Sequence, residues 1–96
     1  MYKFLFSSHF KRKYKKLLKS GSRLEKKTER FFILMEKTPF DYRLKTHKVV
    51  SKTGYNAWSS MITGDLRVIW DFNKTKSGFI NLLDIGGHSG KRKVYK

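Results

Sequence analysis

The segment Phe79-Ile80-Asn81-Leu82-Leu83-Asp84-Ile85 carries apolar side chains at both parities of an extended chain, and it constrains the fold more than any other stretch. Successive strand residues point to opposite faces, so a run apolar on both sides belongs inside a sheet with helices covering one side. The rest of the chain supplies such a sheet. Residues 57–62 and 66–72 read as strands joined by Thr63-Gly64-Asp65. Lys74-Thr75-Lys76-Ser77-Gly78 then turns the chain into a strand over 79–85, which completes an antiparallel meander. At the N-terminus Tyr2, Phe4 and Phe6 alternate with Lys3 and Leu5 as a short strand over 2–6.

The cover is legible as two helices. Ser7 and Ser8 offer an N-cap, and Phe10, Tyr14, Leu17 and Leu18 form one apolar stripe at helical spacing, closed by Ser20-Gly21-Ser22. Ser22 with Glu25 makes a capping-box pattern, and Leu24, Thr28, Phe31 and Met35 carry a second amphipathic helix to about Lys37. A turn that short makes the helices pack antiparallel. Thr38-Pro39 ends the second helix, because proline lacks the N–H and drives its predecessor towards extended geometry. An irregular basic stretch follows, with Arg43, Lys45, His47, Lys48 and Lys52, ending at Gly54. The expectation is one α+β domain over residues 1–96, with an N-terminal strand and two antiparallel helices packed on an antiparallel sheet completed by the C-terminal meander.

Composition bounds the partners. Twenty-three Lys+Arg against seven Asp+Glu give a net charge of +16, a self-repulsion that points to a polyanionic partner. Eight Phe, five Tyr and two Trp are too much apolar area for a disordered basic tail. The absence of cysteine excludes disulfides, Cys-ligated zinc and a thiolate nucleophile, and fits the cytoplasm. The first apolar stretch runs at once into Lys11-Arg12-Lys13, unlike a signal peptide, and nothing approaches the ~18 apolar residues of a membrane span. Gly86 to Lys91 lacks the glycine and hydroxyl positions of a Walker A loop.

Four segments together carry a resemblance: Lys45-Thr46-His47-Lys48, Gly64-Asp65-Leu66-Arg67-Val68-Ile69-Trp70, Leu83-Asp84-Ile85-Gly86-Gly87-His88 and Val94-Tyr95-Lys96. Set in the order strand, two helices, basic loop and meander, the chain resembles the RelE/ParE-type toxins of bacterial toxin–antitoxin systems, in particular their RelE/YafQ-like endoribonuclease branch. That resemblance implies the corresponding α+β toxin fold and cleavage of messenger RNA, commonly on the ribosome, without metal or other cofactor. It also implies a cognate acidic antitoxin, with the toxin monomeric alone and hetero-oligomeric with that partner. The ParE-like branch of the same fold poisons DNA gyrase and cuts no RNA, so a non-catalytic basic module that binds gyrase or RNA is the alternative.

Metal-free RNA cleavage uses the ribose 2′-OH as nucleophile, which needs a base, an acid for the leaving 5′-oxygen and cations for the charged phosphorane. His88, in a Gly-Gly-His-Ser-Gly setting, and His47, between Lys45 and Lys48, are the candidate acid–base groups. Arg67 suits a clamp on the scissile phosphate, unless it is spent on an ion pair with Asp84 or Asp71. Asp65 is a turn residue that the resemblance alone makes a candidate, for orienting an imidazole or taking a proton. Tyr95 would serve as acid or base, or stack on a nucleobase. For the RNA backbone the candidates are Lys11, Arg12, Lys13, Lys15, Lys16 and Lys19 on the first helix, Arg43, Lys45, Lys48 and Lys52 in the loop, and Lys91, Arg92 and Lys93 near the C-terminus. His9 has no evident partner along the chain, and Glu25, Glu29 and Glu36 read as charge balance for neighbouring lysines.

Overall fold

A computed structural model describes residues 1–19, 22–50 and 56–87, with backbone only at positions 22 and 23. The chain runs β1 (Lys3–Phe6), α1 (Ser8–Leu18), α2 (Ser22–Lys37), a 3-10 turn at Tyr42–Leu44, β2 (His47–Val50), β3 (Asn56–Met61), β4 (Leu66–Phe72) and β5 (Phe79–Gly87). Ser7 is the N-cap of α1, its hydroxyl accepting from the Phe10 amide at 3.0 Å.

The strands form one sheet in the order β1-β5-β4-β3-β2. Two expectations are corrected here. The basic stretch after Pro39 is not irregular throughout, for it holds the turn and an edge strand, β2, paired antiparallel with β3 from His47↔Ser59 to Val50↔Asn56. Lysine and histidine on a solvent-side edge mask the strand period, and charge on an edge strand is one way of blocking further pairing. The sheet is also mixed, because β1 runs parallel to β5 with Phe6 beside Leu82. The helical hairpin between β1 and the meander supplies the crossover that parallel pairing needs.

The Phe79–Ile85 run has the interior position its apolarity requires, flanked by β1 and β4. Its faces are set by a bulge: Ile69 faces Asp84 while Trp70 faces Leu82, which leaves Leu83 as the extra residue. Ile80, Leu82 and Ile85 therefore all join the main core, with Leu66, Val68 and Trp70 of β4, Phe10 and Leu17 of α1, Phe31 and Met35 of α2, and Leu44. Leu83 faces the other way, into a smaller cluster with Val49, Ala57 and Ile69. The helices thus cover one face, and among the described residues no helix lies on the opposite face.

A relay of hydroxyls ties the basic loop to the core. The Trp70 indole N–H donates to Ser60 Oγ at 2.8 Å, and Ser60 Oγ lies 2.6 Å from Thr46 Oγ1. Thr46 Oγ1 in turn donates to the Pro39 carbonyl at 2.6 Å. That last donation commits the Thr46 hydrogen, so the Ser60 hydroxyl is the donor between them.

Candidate functional site

Strand register brings two of the predicted site residues onto the open face. His47 pairs with Ser59 and Ser59 with Ile69, while Met61 pairs with Arg67 and Arg67 with Gly86. Residues directly opposite in antiparallel strands share a face, so His47 and Arg67 both project from the uncovered side. Strand spacing puts their Cα atoms roughly 12 Å apart, two strands over and two residues along, within span of one phosphodiester once both side chains reach inward.

His47 is exposed, and its ring is oriented. Nδ1 lies 2.9 Å from the Lys45 carbonyl oxygen. A carbonyl can only accept, so Nδ1 carries the proton and the neutral ring presents Nε2 as its lone-pair nitrogen. Lys45 takes the left-handed conformation, φ 50°, at the end of the 3-10 turn, and this directs its carbonyl back towards the ring.

Arg67 is half-buried, with Nη2 donating to the Gly64 carbonyl at 2.9 Å. Its Nε is buried and has no hydrogen-bond partner among the described residues. An ion pair between Arg67 and Asp84 does not form. The Asp84 Oδ1 atom is engaged by Lys13 Nζ at 2.6 Å, by His9 Nε2 at 3.0 Å and by the Ile85 amide at 2.8 Å. His9 therefore has the partner that its sequence neighbourhood does not reveal, 75 positions away. α1 packs against β5, and these contacts with Asp84 join the two.

Asp65 is exposed in the β3–β4 turn. His88, Tyr95, Lys52, Lys91, Arg92 and Lys93 lie outside the described residues. Of the helix cations, Lys11, Arg12, Lys15, Lys16 and Lys19 are exposed, but Lys13 is half-buried on Asp84 and is a structural ion pair first. In the loop, Lys45 and Lys48 are exposed, whereas Arg43 is held bidentately by Asp41, Nε to Oδ1 at 3.0 Å and Nη2 to Oδ2 at 2.9 Å. Those bonds from Arg43 pull the Asp41 carboxyl down to about 2.

One feature is not legible in the sequence. Lys27, Arg30 and Arg43 line a cleft of about 210 Å³ floored by Phe31, Leu34, Leu44, Met61 and Ile62. The α2 cations sit among glutamates along the chain, and only the packing of α2 beside the 3-10 turn and the β3–β4 hairpin gathers them.

Two helices on one side of a mixed five-stranded sheet, with a histidine and an arginine on the bare side, define a small basic α+β domain. This is the RelE/ParE-like toxin fold. A YoeB/ParE toxin from Agrobacterium tumefaciens superposes with a TM-score of 0.71 at 17% identity, covering 91% of this chain and 99% of that one. A copper-bound mutant toxin from Helicobacter pylori gives 0.69 at 20% identity, over 92% of this chain and 96% of that one. The conserved hypothetical protein HP0894 from the same organism gives 0.62 at 24%, over 92% and 96%. No protein-family profile and no curated protein matches the chain in sequence. Among the described residues no helix is long and apolar enough to cross a membrane.

Proposed function

We infer that this protein is the toxin of a type II toxin–antitoxin pair and acts as a metal-independent endoribonuclease on messenger RNA, on the ribosome. The observation that carries the reading is the register that sets an oriented imidazole and a guanidinium on the same face of one sheet. In this reading the free Nε2 of His47 takes the 2′-OH proton or hands one to the leaving 5′-oxygen, and Arg67 meets the non-bridging phosphate oxygens as charge builds. His88 is proposed as the complementary acid–base group, with Tyr95 and Asp65 in support. The exposed lysines of α1 and of the loop hold the backbone of the message and of ribosomal RNA. An acidic antitoxin covers the cationic surface until it is removed.

The test is single-turnover cleavage of ribosome-bound message across pH. His47→Ala and His88→Ala are expected to lose ~10²–10⁴-fold in rate, with the wild-type pH limb of the missing imidazole gone. Arg67→Ala is expected to lose comparably at every pH, since a guanidinium does not titrate in this range. Wild-type cleavage rates in all three variants would overturn the assignment of these residues, and growth arrest through gyrase without new cuts in message would replace this reading with the ParE-like one.

A further inference from the structure

The loop between α2 and β2 holds the Tyr42 ring out in solvent, 83% exposed, and leaves 51% of Phe40 exposed where it packs on Trp58, Trp70 and Phe72. Asp41 accepts from the Arg43 amide at 2.9 Å and grips the Arg43 guanidinium, which places Arg43 5.9 Å from the centre of the Tyr42 ring and leaves the opposite ring face to water. Phe40 stands edge-on to Trp58 at 4.9 Å, and Lys48 Nζ lies 5.7 Å from the centre of the Trp58 ring. The hydroxyl relay from Trp70 to Pro39 pins the loop to the core. Arg43, Lys45 and Lys48 follow the rings along Phe40-Asp41-Tyr42-Arg43-Leu44-Lys45-Thr46-His47-Lys48, and the single acid of this segment, Asp41, is already neutralised by Arg43. The chain then runs straight into His47.

Exposed rings with lysines close behind them in the chain suit unpaired nucleotides, because every base offers a π-face and every linkage a phosphate. An acidic peptide is served less well by flat rings than by a concavity, and the concave cationic site is the adjoining cleft between Lys27, Arg30 and Arg43, which Tyr42 and Phe40 do not line. We propose that Tyr42 and Phe40 form a stacking platform for unpaired bases of a single RNA strand, with Lys45 and Lys48 on its phosphates, the strand passing around the β2 edge to His47 on the other face. The delivery rests on the ribonuclease reading above; the binding does not.

The experiment separates the two by using RNA that cannot be cut. A fluorescent 2′-O-methyl strand about ten nucleotides long, and the same strand with abasic sugars, are titrated by anisotropy at several salt concentrations. Tyr42→Ala is expected to weaken binding of the base-bearing strand about tenfold with an unchanged salt slope, and to bind the abasic strand like wild type. Tyr42→Phe is expected to retain wild-type affinity, and Lys45→Ala to lower the salt slope by about one. With its side chain in solvent, Tyr42 can be replaced without unfolding the domain, and circular dichroism verifies that. The platform is overturned if wild type does not bind, if Tyr42→Ala stays within about twofold of wild type, or if its loss is equal on the abasic strand. It is equally overturned if Tyr42→Ala spares RNA and loses only the acidic partner protein. Tyr42-dependent binding without cleavage of ribosome-bound message would uphold the platform and remove the ribonuclease reading instead.

Discussion

His47 depends for its orientation on a neighbour in a costly backbone region. A non-glycine residue in the left-handed conformation gives up about 1–2 kcal/mol, and Lys45 holds that conformation where its carbonyl meets the imidazole. Asp41 is the other determinant of the loop. Its folded pKa of about 2 lies below the ordinary 3.8, so the carboxylate favours the fold above the ordinary value. That contribution is lost as pH falls from about 4 to about 2. An NMR titration is expected to place the Asp41 carboxyl midpoint near 2, with the amide shifts of Tyr42 and Arg43 following it. A midpoint at the ordinary value would mean that the bidentate pair does not persist in solution.

At the scale of elements, the link between the basic loop and the sheet is polar. Ser60 is fully buried and serves as acceptor for Trp70 and donor to Thr46. Ser60→Ala strands the Trp70 indole N–H without an acceptor, at a cost of roughly 1–3 kcal/mol, to be read from the denaturant midpoint. A change below about 0.5 kcal/mol would show that packing alone holds the loop. On α1 the cations divide into two kinds. Lys15→Ala and Lys16→Ala are each expected to weaken RNA or ribosome binding and to lower its salt slope by up to about one, with stability unchanged. Lys13→Ala is expected to lower stability as well, because it strips a partner from Asp84, whose side chain is only 14% exposed. Equal stability for all three variants would contradict that division.

Across the whole molecule, the charge of +16 sets the conditions under which the domain is comfortable. Like charges crowd α1 and the loop, and ions screen them over about 10 Å at ~0.1 M salt. The thermal midpoint of the isolated chain is therefore expected to rise with added salt from a low-salt buffer, and to rise further with a polyanion at equal ionic strength. A midpoint that fell or stayed flat would mean that the repulsion is already offset within the fold.

Strand and helix positions follow from periodicity and punctuation that any reader of the chain can find. Phe10, Leu17, Phe31 and Met35 lie on the buried helix stripes, and β4 runs over the expected 66–72. The interior place of β5 follows from a run too apolar to face water. Non-local pairing decided the rest. Nothing near Lys3 indicates that its strand lies parallel to one 76 residues later, and nothing near His47 indicates an edge strand, because the lysine that protects an edge also hides its alternation. Residue types alone made His47 and Arg67 candidates, but only register placed them on one face. Only the packing of α1 on β5 gave Asp84 to Lys13 and His9, so that it is no ion-pair partner for Arg67. Local sequence encodes which segments are strands and helices; which side chains meet depends on contacts between segments far apart in the chain, and those exist only once the sheet has closed.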